Sequence, residues 1–96
     1  MGLNSSISII VPAYNAEAAI EECLKTIYQE SKNLNSEIIV IDDHSNDKTC
    51  KIVEKFKSTK LVKLKKNKGV GYARNLGARI AKNKILCYID SDVIIS

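Results

Sequence analysis

Apolar positions along this chain switch repeatedly between two spacings. Ile7 to Val11 is a short, nearly continuous apolar run, read as a buried strand that Pro12 ends. From Ala16 the period lengthens. Ile20, Cys23, Leu24, Ile27 and Tyr28 fall at i, i+3, i+4, i+7 and i+8, one face of a helix. Asn15 is its expected cap, and Glu17 suits the positive end of the helix dipole. "SKNLNS" (31–36) closes that helix, and Glu37 to Ile41 predicts a second strand, apolar on both faces. "DDHSND" (42–47) is then a loop, with Asp47 or Asn46 the cap of a second helix marked by Ile52, Val53 and Phe56 and reaching about residue 57. Lys60 to Leu64 alternates and predicts a third strand. After the loop "KKNKG" (65–69), Ala73, Leu76, Gly77, Ile80 and Ala81 give a third helix face. Asn83 ends it, and Ile85 to Ile89 predicts a fourth strand.

The order is βαβαβαβ. Strands alternating with helices imply a parallel sheet with right-handed crossovers, and strands apolar on both faces imply helices on both sides. The expected fold class is therefore α/β, a single three-layer α/β/α domain over residues 1–96. In such a sheet every strand ends on the same edge, where ligands bind. That edge gathers Tyr14 after strand one, Asp42 and Asp43 after strand two, residues 65–71 after strand three, and Asp90 and Asp92 after strand four.

Four carboxylates alone would repel an anionic ligand. "DSD" (90–92) reads either as a polar turn or as a site for Mg²⁺ or Mn²⁺, which take one or two carboxylates and leave places for phosphate oxygens. Asp92 would then bridge a diphosphate. "GVGYARNLG" (69–77) approaches a dinucleotide fingerprint, but Arg74 stands at its sixth position and it follows the third strand, not the first. Gly69 and Gly71 read as turn residues and Gly77 as a close-packing residue. Arg74 and Asn75 lie in the helix's first turns, either solvated or touching a phosphate or the "DSD" loop.

Composition narrows the picture. The 96 residues are 45% hydrophobic and 27% charged, with a net charge of +4. The excess sits mostly in Lys60, Lys63, Lys65, Lys66 and Lys68, which suits a solvated edge strand or an anion. Few aromatics, none interleaved with the basic residues, argue against nucleic acid. Cys23, Cys50 and Cys87 form no CxxC pair, and with one histidine a zinc site is not expected. Buried, reduced thiols and a cytoplasmic location follow. No apolar run is long enough to span a bilayer, and no basic leader precedes one. "MGLNSS" fits a myristoylation pattern formally and is read as a frayed terminus.

Four motifs now stand in order: "VPAYN" (11–15), "DDHSND" (42–47), "GVGYARNLG" (69–77) and "DSD" (90–92). From Ile7 to about Val93 the chain resembles the inverting family 2 glycosyltransferases. The resemblance implies the Rossmann-like, nucleotide-binding N-terminal half of a GT-A fold. It implies that Tyr14 packs on the nucleotide base and Asp43 accepts a hydrogen bond from uracil N3–H, with Asp42 a neighbour of less defined role. Pro12 and Ala13 lie near the base or ribose through their backbone. Gly71, Arg74 and Ser91 join the nucleotide site. Asp90 is directed toward ribose or metal, and Asp92 is the metal ligand that clamps the diphosphate. His44 departs from the pattern, since the family often has glycine or another small residue there.

The resemblance further implies transfer of a sugar, with inversion, from a nucleoside-diphosphate sugar, most commonly a UDP-sugar, to a glycan, lipid-carrier or protein acceptor. The general base and the acceptor site are expected beyond residue 96, so the chain is expected to bind without turnover. Val93, Ile94 and Ile95 form an apolar tail suited to self-association, and membrane attachment is expected only through segments outside these residues. Three other readings compete. One is a nonenzymatic nucleotide-binding module. "IDSDV" (89–93) also fits a haloacid-dehalogenase-like phosphatase, whose nucleophile sits on the first strand. "VIDD" (40–43) fits a receiver domain, which needs an acceptor aspartate on the third strand, where this chain has lysines.

Overall fold

The computed structural model describes residues 6–92. The apolar tail expected at residues 93–95, with the self-association inferred from it, and the leading residues 1–5 lie outside that span. Seven elements alternate: β1 (Ser6–Ala13), α1 (Ile20–Glu30), β2 (Asn35–Asp42), α2 (Thr49–Val53), β3 (Thr59–Lys63), α3 (Val70–Ile80) and β4 (Ile85–Tyr88). All strands are parallel, in the order β3-β2-β1-β4. The chain steps outward from β1 to β2 to β3, then returns to place β4 on the other side of β1. The order reverses between β1 and β4, which is where an open α/β sheet forms its ligand crevice.

Side-chain alternation divides the core into two layers. Ile9, Val11, Ala13, Ile38 and Val40 pack with Ile20, Cys23, Leu24 and Ile27 of α1 and Val53 of α2. Ile39 and Ile41 pack on the other face with Ala73, Leu76 and Ile80 of α3. A reversal of stepping direction with one crossover hand requires this change of face, so the three-layer architecture follows from the chain order. Among the described residues, no helix is long and apolar enough to cross a membrane.

β2 and β3 are offset from the expected ranges by one or two residues, and four other boundaries differ in ways that matter to the site. β1 runs through Pro12 to Ala13 instead of stopping at Pro12. The carbonyl of Ile10 accepts the Ile89 N–H on the β4 side, and that of Ala13 accepts the Asp43 N–H on the β2 side. Pro12, two residues after Ile10, faces the β4 side beyond the last paired residue, Tyr88. Its missing N–H therefore removes no ladder bond. α1 begins at Ile20, not near Ala16, and Asn15 does not cap it. Asn15 has a positive φ of 48° and turns the chain instead. α2 is only five residues long, and Phe56 lies outside it, stacked on Tyr28 at 5.9 Å between ring centroids. β4 ends at Tyr88, one residue before Ile89.

Gly77 is the closest approach of helix to sheet. A Cβ built there would collide with Cγ2 of Ile10, a fully buried side chain. A Cβ at Gly71 meets nothing within 4 Å. Gly77→Ala is therefore expected to destabilise the protein by about 1–3 kcal/mol through overpacking. Gly71→Ala is expected to be neutral or to stabilise by up to about 1 kcal/mol. Urea unfolding of the two variants checks the pair.

Candidate functional site

A cleft of about 740 Å³ opens at the C-terminal edge of the sheet, over the β1–β4 reversal. That volume is in the range of small-molecule sites. One wall is the segment after β1, where Pro12, Ala13 and Tyr14 line the cleft together with Asn15. Tyr14 is half-exposed, its ring held at the rim. The opposite wall is the β3–α3 loop and first turns of α3, with Asn67, Gly69, Val70 and Arg74. Asp90, Ser91 and Asp92 follow β4, and Asp43 forms part of the lining from the end of β2. Of the residues expected at the site, eight line the cleft: Pro12, Ala13, Tyr14, Asp43, Arg74, Asp90, Ser91 and Asp92. Asp42 and Gly71 do not.

The adjacent aspartates are separated by the pleat of the strand. Both are buried, at 2% and 4% exposure. The Asp42 carboxylate turns back on its own loop and accepts the backbone N–H of Ser45 at 2.9 Å and its hydroxyl at 2.5 Å. The Asp43 carboxylate turns toward α3 and accepts the N–H of Lys68 at 2.6 Å and of Gly69 at 2.9 Å. Gly69 is the N-cap of α3 with φ 93°, a conformation that favours glycine. It offers no capping side chain, and Asp43 supplies the anion from a different element, where the helix dipole favours one. The Asn67 side chain adds a bond to the Asp43 carbonyl at 3.2 Å. A carboxylate has about four lone-pair sites, so Asp43 retains acceptor capacity toward the cleft.

The β1–α1 and β2–α2 loops are laced together. Asn15 N–H donates to Ser45 Oγ at 2.8 Å, and Asn15 Oδ1 accepts the Asn46 N–H at 2.9 Å. Ala16 N–H donates to Thr49 Oγ1 at 2.8 Å, Glu17 N–H to Asp47 Oδ2 at 3.2 Å, and Lys48 N–H to Glu17 Oε1 at 2.9 Å. Asp47 also accepts the N–H of Thr49, the first residue of α2, so the expected capping role is met from one residue before the cap. Sequence reasoning placed Asn15 and Glu17 in a helix start and did not find this lattice. It also missed Asn15 and Asn67 as lining residues. Their signal was the tolerance of Asn for left-handed and turn conformations in loops after strands. His44 has φ 70°, which accounts physically for a glycine preference at that position; its ring is exposed, with Nδ1 3.2 Å from the Leu64 carbonyl oxygen.

Arg74 reaches the "DSD" segment and pairs with Asp90 at 3.0 Å. Its Nε is buried with no hydrogen-bond partner among the described residues. Cys23 lies beneath the same segment, its Sγ 3.7 Å from the Asp90 carbonyl oxygen. Burial, then the Asp92 charge, push its thiol up to about 11, so it stays protonated. Asp92 is exposed and makes no hydrogen bond or ion pair among the described residues. No group of three His, Cys, Asp or Glu side chains able to hold a metal occurs among them. One free carboxylate beside a second is nevertheless the donor set that Mg²⁺ or Mn²⁺ uses when phosphate oxygens and water complete the shell. In the lysine cluster, Lys63 pairs with Glu54 at 3.2 Å and Lys68 lies over the Tyr72 ring at 5.1 Å. The contribution of Lys68 to the site wall is its backbone N–H to Asp43.

With this geometry in view, the relatives can be placed. Residues 8–96 match Glycosyl transferase family 2, and the chain belongs to that family. It is 38% identical over 92 residues to the UDP-Glc:alpha-D-GlcNAc-diphosphoundecaprenol beta-1,3-glucosyltransferase WfaP of Escherichia coli, covering 90% of this chain and 35% of that protein. Staphylococcus aureus TarS 1-349, in its crystal structure with UDP-GlcNAc, superposes with a TM-score of 0.82 at 34% identity, over 91% of this chain and 26% of that one. The mannosyltransferase PcManGT of Pyrobaculum calidifontis, solved with GDP-Man and Mn²⁺, superposes at 0.83 with 29% identity, over 92% and 28%. The fold is thus that of the GT-A glycosyltransferases, and the phosphatase and receiver readings fall away. The chain spans about a third of the length of curated relatives such as WfaP.

The lattice is pH-sensitive at Asp47. Burial alone raises its carboxyl, but the hydrogen bonds from Thr49 and from the Glu17 N–H outweigh it, and the net shift is downward from 3.8. Its stabilisation is complete above the unfolded value and is lost as pH falls through the lower folded value. An NMR titration of the Asp47 carboxyl is expected to show a midpoint below 3.8, returning toward 3.8 in Thr49→Ala.

Proposed function

We propose that this chain forms the nucleotide-sugar-binding part of a glycosyltransferase. The enzyme moves a sugar from a nucleoside diphosphate, UDP first, to an acceptor hydroxyl with inversion. The observation that carries this reading is the convergence of Tyr14, Asp43, Arg74, Asp90 and Asp92 on one cleft at the strand-order reversal. Tyr14 offers an aromatic face at the rim for a base. Asp43, fixed by Lys68 and Gly69, offers its remaining lone pairs to a base N–H. Arg74 holds Asp90 in place. Mg²⁺ or Mn²⁺ held by Asp92, with Asp90, would supply the Lewis acidity that stabilises a departing diphosphate.

Both a UDP-sugar and a GDP-sugar occur in the neighbouring complexes, so the shared fold accommodates either base. Asp43 suits a base whose edge carries a ring N–H, uracil N3–H or guanine N1–H, over cytosine, whose N3 carries no hydrogen. No general base is assigned within these residues, so the part of the reading that belongs to this chain is binding. The acceptor, whether glycan, lipid carrier or protein, is read by groups outside the cleft described.

Calorimetry of the folded protein with UDP and Mn²⁺ tests the proposal. Binding is expected, weaker for CDP, whose ring N3 carries no hydrogen, and weaker without the metal. Asp92→Ala should abolish the metal dependence, and Asp43→Asn should reduce the preference for UDP over CDP. Absence of binding at millimolar UDP, with the fold confirmed, contradicts the proposal.

A further inference from the structure

Asp42 is buried, adjacent to the cleft, and absent from its lining. Nothing in the binding scheme above uses it. Its carboxylate accepts both the N–H of Ser45, at an ordinary 2.9 Å, and its hydroxyl, at a short 2.5 Å. Because the hydroxyl proton is spent on Asp42, the Ser45 oxygen is oriented as an acceptor, and it receives the N–H of Asn15 at 2.8 Å. Asn15 follows Tyr14 directly and has a positive φ of 48°, a left-handed turn that asparagine tolerates better than most residues. Its side-chain oxygen accepts the Asn46 N–H and ties down the same turn from the other side. Tyr14 itself is half-exposed at the rim of the cleft.

We infer that Asp42 and Ser45 form a positioning relay for Tyr14. The buried carboxylate polarises and aims one hydroxyl, the hydroxyl holds the Asn15 amide, and that amide fixes the backbone turn that presents the tyrosine ring to the base. Asp42 thereby sets how well the site recognises a base without touching the ligand. The adjacent aspartates divide the work between opposite walls: Asp43 fixes the β3–α3 loop, and Asp42 fixes the β1–α1 loop.

The chemistry of the relay makes it selective in its variants. Ser45→Ala removes the acceptor for Asn15 and leaves the Asp42 carboxylate one donor short. Ser45→Thr keeps the hydroxyl. Asp42→Asn replaces one of two acceptor oxygens by a donor, so one of the two bonds from Ser45 must be lost.

The inference rests on the nucleotide reading, and the test separates the two. Amide hydrogen exchange by NMR without ligand is measured first. In Ser45→Ala the Asn15 amide should exchange at least about tenfold faster, the equivalent of one hydrogen bond's ~1.4 kcal/mol. The core amide of Val40 should be unchanged, and Ser45→Thr should restore protection. An unchanged Asn15 amide in Ser45→Ala, or a Val40 amide that accelerates equally, overturns the relay, whatever the ligand result. Binding of UDP and of inorganic pyrophosphate, each with Mn²⁺, is then compared. Ser45→Ala and Asp42→Asn should weaken UDP by about tenfold and pyrophosphate by less than about twofold. Equal loss for both probes overturns the relay's selectivity for the base. Failure of the wild-type protein to bind UDP overturns the nucleotide reading and the assignment of Tyr14 to a base, while the exchange data still decide the coupling of Asp42 to Asn15.

Discussion

A buried carboxylate survives in a folded chain only where donors replace its lost water, and the end of β2 carries two such groups side by side. The pleat sends them to opposite faces, and each finds two donors. Those four bonds bring the β2–α2 turn and the β3–α3 loop to fixed positions. Through Ser45 they also reach the segment after β1. Three of the four strand ends at the ligand edge are therefore tied to one dipeptide. The fourth, after β4, is tied by Arg74 to α3, whose N-terminus Asp43 itself anchors.

This arrangement ties the edge together with hydrogen bonds where a loop-built site ordinarily has few. The acidic character needed for a metal stays with Asp90 and Asp92, which are exposed, while the two buried aspartates have their lost water replaced by hydrogen bonds. The apparent four-carboxylate patch divides into a structural carboxylate, Asp42, an anchored one that also faces the cleft, Asp43, and an exposed pair after β4. Gly77 completes the scheme from the other side of the sheet, since its contact with Ile10 sets how deeply α3 lies.

The fold was legible because its period is strong. Alternating short apolar runs and helix faces specify seven elements, and all seven form in the expected order with the expected parallel sheet. Boundaries failed where tertiary bonds override local preference. Asn15 has the chemistry of a cap, but its N–H and side chain are taken by Ser45 and Asn46 from a loop thirty residues away. Pro12 reads as a strand breaker, yet it sits in β1 because β4 is shorter than its neighbour. Eight of the expected site residues line the cleft because topology alone carries strand ends to one edge. The part played by Asp42 was not legible in this way, since a motif fixes a residue's position in the chain and not the face its side chain takes, and Gly71, expected in a turn, lies inside α3 outside the lining.

In the proposed scheme one edge cleft, framed by the Asp42 and Asp43 anchors, binds a nucleoside diphosphate. Amide NMR with stepwise UDP and Mg²⁺ tests it most directly. The account predicts shifts confined to residues 12–16, 43–46, 67–74 and 90–92, with the outer strand β3 and the end of α1 silent. Shifts centred on Lys60 and Lys63, or no shifts with the fold intact, would contradict it.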